Sequence, residues 1–160
     1  MEKLTVAVAL SFAFIATSAK PLKQNKLDAG CPDGWKLHSG TGICVGYFKT
    51  GSTWEDARRS CQDMGGDLFN PKTKELNDLL AALVGPSSVD AVWIGLNDGG
   101  TQGDFRWSDG SQPIYTEWRD GEPNEKLPSG NCAVFWPKDA DWWDFKCQFG
   151  FHFACEKASQ

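Results

Sequence analysis

The sequence predicts an α+β domain, and three observations carry that expectation. Two helical periodicities stand together near residues 53–84, several short apolar runs of strand character follow beyond residue 90, and six cysteines are spread from 31 to 155. Helices and strands that are segregated along a chain, instead of alternating, argue against a parallel α/β sheet.

The chain opens with a secretory pattern. Lys3 precedes the apolar positions Leu4, Val6, Val8, Leu10, Phe12, Phe14 and Ile15, and the small residues Thr17-Ser18-Ala19 close the segment. Residues 1–19 are expected to be a signal peptide, too short to span a bilayer. No second apolar stretch of spanning length follows, so a secreted, extracellular product beginning near Lys20 is expected. Residues 20–30, with Lys20, Lys23 and Lys26, read as a short N-terminal tail, residues 31–157 as one folded domain, and residues 158–160 as a C-terminal tail. The remaining ~140 residues suffice for one core.

Cys31, Cys44, Cys61, Cys132, Cys147 and Cys155 all lie beyond the signal, and an even count in a secreted chain implies three disulfides. Spacing alone leaves roughly 15 pairings open. The net charge of −5 and a pI near 5.0 exclude a general nucleic-acid binder, which needs clustered Lys and Arg for phosphate. Acidity otherwise names no partner. No Asn-x-Ser/Thr triplet occurs, so no N-glycosylation is expected.

Taken in order, residues 31–47 read as a turn-rich hairpin, with Pro32, Gly34, Gly40, Gly42 and Gly46 between Trp35, Ile43, Val45 and Tyr47. A Cys31–Cys44 bridge would close it. Ser52-Thr53-Trp54-Glu55 is a capping-box pattern, with Ser52 and Glu55 satisfying the first backbone donors of a helix from about Thr53 to Met64. Its Trp54, Ala57, Cys61 and Met64 recur at helical spacing, and Gly65-Gly66 stops it. A second helix, about Thr73 to Val84, carries the stripe Leu76, Leu79, Leu80 and Leu83 and ends at Gly85-Pro86. Four strand candidates follow: Val92–Leu96, Phe105–Ser108, Asn131–Trp136 and Phe151–Cys155. The stretch from Asn97 to Asn131 is too long for a bare connector and is expected to be functional.

The chemistry concentrates in that stretch. Glu122-Pro123-Asn124 sets a carboxylate, a rigid proline and a carboxamide in one loop, and Asp144 follows in the run Trp142-Trp143-Asp144. Calcium takes six to eight oxygen ligands, of which a sugar diol can supply two. Each hydroxyl of such a diol can donate to a carboxylate and accept from an amide.

These residues bring a family into view. Trp93-Ile94-Gly95-Leu96, Trp107-Ser108-Asp109-Gly110-Ser111, Trp118 before Glu122-Pro123-Asn124, Trp142-Trp143-Asp144 before Cys147, and Phe153-Ala154-Cys155-Glu156 together resemble a C-type lectin domain, of the long form with an N-terminal hairpin disulfide. The resemblance runs from Cys31 to about Lys157. It implies a double-looped fold with two helices flanking small antiparallel sheets and the disulfides Cys31–Cys44, Cys61–Cys155 and Cys132–Cys147. It implies that Glu122, Asn124 and Asp144 hold calcium and a sugar with mannose-type equatorial vicinal hydroxyls. It also implies a cis Glu122–Pro123 bond, a form that only about 5–6% of such bonds adopt.

Two positions depart from that pattern. The family's acidic ligand before Cys132 falls on Gly130, and its asparagine ligand before Asp144 falls on Trp143; neither offers a side-chain oxygen. Glu125, Asn131 or water would have to complete the shell, so weak calcium binding is expected. Trp143 would either block the site or give a sugar a stacking face. An auxiliary calcium position would draw on Asp98, Gln102, Glu125 and Asn131. Trp35, Trp54, Trp93, Trp107, Trp118 and Trp142 are read as core.

No enzyme is expected. His38 and His152 have no evident nucleophile partner, and no motif supports a pair of catalytic carboxylates. The reading is a secreted carbohydrate-binding lectin, with calcium as cofactor, that recognises mannose-type glycans in innate recognition of microbial surfaces. Homo-oligomerisation would raise its avidity. The alternative is a structural or surface-binding protein on the same fold, with a mineral, ice or protein ligand and no calcium-dependent sugar.

Overall fold

The computed structural model describes residues 30–88, 90–124 and 131–160. The signal-peptide reading, the tail up to Ala29, the candidate ligand Glu125 and the departure at Gly130 lie outside the described residues. In chain order the elements are β1 (Lys36–His38), β2 (Ile43–Ser52), α1 (Trp54–Asp63), β3 (Asp67–Leu68), α2 (Lys74–Val84), β4 (Val92–Asn97), β5 (Arg106–Trp107), β6 (Asn131–Trp136), β7 (Asp141–Lys146) and β8 (Phe151–Ala158).

The sheet runs β1-β2-β8-β4-β6-β7, with β3 added to β8 and β5 to β4. β4 and β8 lie parallel, and the other pairs are antiparallel. Successive side chains of a strand point to opposite faces. Trp93, Val134, Phe153 and Cys155 accordingly pack on one face with Trp54, Ala57 and Cys61 of α1. Val92, Ile94, Leu96, Ala133, Phe135 and Ala154 pack on the other with Leu76 and Leu80 of α2. Burial on both faces is why β4 and β6 read as unbroken apolar runs.

Both helices form where the periodicity places them, but the first cap sits one residue later than the capping-box pattern suggests. Ser52 is still extended and paired with Phe151, so the cap passes to Thr53, whose Oγ1 accepts from Asp56 N at 3.2 Å. In α2, Thr73 caps Leu76 N, and Gly85, at φ 82°, ends the helix in a backbone conformation open to glycine. The structure adds β7, which the residue pattern did not single out as a strand.

The three bridges are Cys31–Cys44, Cys61–Cys155 and Cys132–Cys147, as the resemblance implied. β8 continues to Ala158, and Ser159 N and Gln160 N donate to Gly42 O and Gly30 O, each at 2.9 Å.

Two polar nodes tie the long loop to this frame. Asn70 donates through its backbone N and its Nδ2 to Glu156, and Nδ2 also reaches Ser108 Oγ. Burial raises the pKa of Glu156 above the usual carboxylate range. Arg58 Nη2 donates to Ser108 O at 2.6 Å while its guanidinium pairs with Asp67. The close approach of Asn70 also explains Gly95, since a Cβ there would lie 2.1 Å from Asn70 Oδ1.

Candidate functional site

The Glu122-Pro123-Asn124 loop is docked along the outer edge of β7. Trp142 N donates to Glu117 O at 2.7 Å, Arg119 N donates to Trp142 O at 3.0 Å, and Glu122 N turns back onto Arg119 O at 2.9 Å. Trp142 is fully buried and holds this edge in place, because its Nε1 donates to Asn77 Oδ1 of α2 at 2.8 Å. Asn77 Nδ2 in turn donates to Ala140 O. The Glu122–Pro123 bond is cis.

That path brings three of the expected site residues together. Asn124 N donates to Asp144 Oδ1 at 2.8 Å, and Asn124 Nδ2 donates to Glu122 Oε1 at 2.8 Å. Asp144 is buried, whereas Asn124 is exposed. Glu122 Oε2 is shut away from solvent with no hydrogen-bond partner. Burial first, and the facing Asp144 carboxyl second, push the Glu122 carboxyl up to about 7. Two carboxyls that face one another repel when both are ionised, so below about pH 7 one keeps a proton unless a cation offsets the repulsion. Oxygen donors with a carboxamide beside them suit a hard cation such as calcium.

The other expected residues are placed differently. Trp143 lies on the opposite face of β7 from Asp144, stacked against Phe145 and covered by the Arg119 guanidinium at 5.1 Å. It brings no oxygen to the pair. Asn131 shares the face of Asp144, since it pairs with Lys146 while Ala133 pairs with Asp144. Its amide is turned to Asp98, with Asn131 N at 2.8 Å and Nδ2 at 3.1 Å from the Asp98 carboxylate. Gln102 of the auxiliary set is exposed. Among the described residues, no group of three or more His, Cys, Asp or Glu converges in metal-binding geometry. Trp118, read as core, is only half-buried and meets Phe105 and Trp142 edge-on. Arg119 and Asn77 escaped sequence reasoning. Arg119 carries no spacing signal, and Asn77 shows only as a polar residue within an apolar stripe.

The chain belongs to the C-type lectin domain family, whose domain matches residues 50–157. Members of this family are carbohydrate-binding proteins and not enzymes. The chain is 34% identical over 128 residues to the versican core protein of Homo sapiens, covering 79% of this chain but only 4% of that protein. Its fold is similar to the carbohydrate-recognition domain of mouse scavenger receptor C-type lectin, with TM-score 0.73, 27% identity, and coverage of 81% of this chain and 98% of that one. It is also similar to a calcium-independent type II antifreeze protein, with TM-score 0.71, 28% identity, and coverage of 81% and 95%. Among the described residues no helix is long and apolar enough to cross a membrane.

Proposed function

We propose that this chain is a secreted lectin that holds mannose-type glycans through Glu122, Asn124 and Asp144 with calcium. The observation that carries the reading is the facing Glu122–Asp144 pair, with Glu122 Oε2 buried and unpartnered and the Asn124 amide alongside. A cation held between the two carboxylates would satisfy that oxygen and offset their repulsion. Calcium, when bound, supplies coordination for two adjacent sugar hydroxyls. Glu122 then accepts from the hydroxyls and Asn124 donates to them, so equatorial vicinal diols are selected by the order of acceptor and donor along the loop. Asn131, and Glu125 beyond the described residues, are the candidates to complete the shell. Two carboxylates and one carboxamide make a weak site, and homo-oligomerisation on a microbial surface would multiply it.

Trp143 favours a second reading, in which the domain binds a mineral, ice or protein surface without calcium. It places an indole where the family resemblance implied an oxygen ligand, and one similar structure is calcium-independent. Retention on mannose-agarose in millimolar calcium separates the two. The first reading expects retention, elution by EDTA or free mannose, and loss on Glu122→Gln; passage straight through the column would favour the second.

A further inference from the structure

A cavity of about 320 Å³ opens where the chain leaving α2 crosses the sheet toward β4. In the sheet order, β4 and β6 stand between it and the β7 edge that carries the Glu122 loop. A break in the pairing of β2 with β8 makes its floor. Phe48 faces Phe153 and Ser52 faces Phe151, so Lys49, Thr50 and Gly51 share the span that His152 alone covers. Such a bulge re-aims side chains. Tyr47 and His152 lie on the α2 side of the sheet, because Val45 and Ala154, two residues away on each strand, belong to the α2 cluster. Val84, at the end of α2, walls the cavity beside the Tyr47 ring, and Ser87, Ser88 and Asp90 line it from the connection.

The polar groups of this cavity form a chain. Asp90 Oδ2 stands 3.7 Å from His152 Nε2, His152 Nδ1 is 2.8 Å from Tyr47 OH, and Tyr47 OH is 3.5 Å from Ser88 Oγ. The proton on His152 decides what the cavity offers. A bare Nδ1 accepts from the Tyr47 hydroxyl and uses up its proton, whereas a doubly protonated ring donates to the Tyr47 oxygen. The phenol proton is then free to turn toward Ser88 and the cavity, and the facing Asp90 carboxylate offsets the imidazolium charge. Tyr47 becomes a donor to whatever is bound. The exposed Lys49 adds a full positive charge, and among the described residues it meets no carboxylate, only the Tyr47 ring at 5.8 Å. Asp90, Lys49 and Tyr47 are the charged or titratable groups that line the cavity with His152.

We propose that this cavity binds an oxyanion monoester, a phosphate or sulfate carried on a small organic group, through Lys49, Tyr47, Ser87 and Ser88, with Asp90 and His152 setting the direction of the Tyr47 hydroxyl. An ammonium, a phenol and two serine hydroxyls around one space are donors that match the several acceptor oxygens of such a group. The volume is that of a small-molecule site, larger than a bare ion needs, and Val84 with the Tyr47 ring gives the organic part an apolar wall. The site needs no calcium and stands apart from the Glu122 loop.

The test is titration calorimetry of the whole domain, in EDTA, with phenyl sulfate, phenyl phosphate and inorganic sulfate. At pH 5.5 at least one ester should saturate the domain and bind about tenfold more tightly than inorganic sulfate; the tighter ester tells sulfate from phosphate as the natural group. Phenyl sulfate keeps its charge between pH 5.5 and pH 8, so a change in its affinity reads the protein alone. It should weaken about fivefold over that rise, as the imidazole gives up its proton and the Tyr47 donor is withdrawn. Lys49→Gln should weaken the ester about tenfold; Lys49 is exposed and outside both core clusters, so this variant is expected to fold. Tyr47→Phe keeps the ring and should remove most of the pH dependence, while Glu122→Gln should change neither affinity nor pH profile. No saturation by about 10 mM, or a preference for inorganic sulfate over both esters, would overturn the proposal. So would ester binding that Lys49→Gln and Tyr47→Phe leave untouched, or that Glu122→Gln abolishes, because the anion would then sit elsewhere.

Discussion

The two ends of the sheet are built on opposite terms. At the β2–β8 end, backbone pairing runs from Ile43↔Ala158 to Phe48↔Phe153, and Cys61–Cys155 fastens α1 to β8 within an apolar cluster. At the β7 end a buried carboxylate, a facing carboxyl with an unpartnered oxygen, and a row of half-covered rings are held by a loop. The comparison shows a division of labour. Polar tension is tolerated at one end because the other end, and Trp142 at the seam, over-determine the fold.

The largest expected effect tests that division directly. Replacing Cys61 and Cys155 together by serine opens a closed segment 94 residues long, which the chain-entropy account values at roughly 4–5 kcal/mol. The same change at Cys132 and Cys147 opens 15 residues, roughly 3 kcal/mol. Guanidinium unfolding of the two double variants measures both. A greater loss at Cys132 and Cys147 would mean that the site end carries the fold.

The seam comes next. Asn77→Leu leaves Trp142 Nε1 and Ala140 O without their partner and should cost about 1–3 kcal/mol. If Trp142 locks the loop to the frame, hydrogen exchange at the Arg119 and Glu122 amides should accelerate more than at β2. Uniform acceleration would make the seam an ordinary core contact.

Most of the frame was legible in the sequence, because apolar period and turn residues act locally. The helices, the hairpin, β4 and β6 all follow from such patterns. β7 did not, and its burial shows why: Trp142 and Asp144 are buried on one face while Trp143 and Phe145 are half-buried against the α1-side core on the other. A buried carboxylate in a strand with rings on both faces gives no apolar/polar alternation to read. Asn77 was hidden for another reason, since its partner lies 65 residues away. At the site, the residue types of Glu122, Asn124 and Asp144 marked the cluster. The opposite orientation of Trp143 and the docking by Arg119 needed the fold, because one strand sends neighbouring side chains to different faces.

The smallest expected effect sharpens the contrast between the ends most finely. Glu122 has its pKa raised in the fold to about 7 from an ordinary 4.5, so between these values the folded protein binds more protons than the unfolded chain. Without calcium, stability should therefore fall as pH rises from about 4.5 to about 7 through this group, and level off above. Glu122→Gln keeps the hydrogen-bonding shape but removes the titration, so its melting temperature should vary less across that window and exceed the native protein's at pH 8. Calcium should act in the reverse sense, binding more tightly as pH rises through about 7, because the proton and the cation compete for the same carboxyl pair. Thermal melts at pH 5 and pH 8, with EDTA and with millimolar calcium, read all of these at once. Should the native protein and Glu122→Gln give parallel melting curves at every pH, the facing carboxyls are not under tension, and the site end is as relaxed as the frame that supports it.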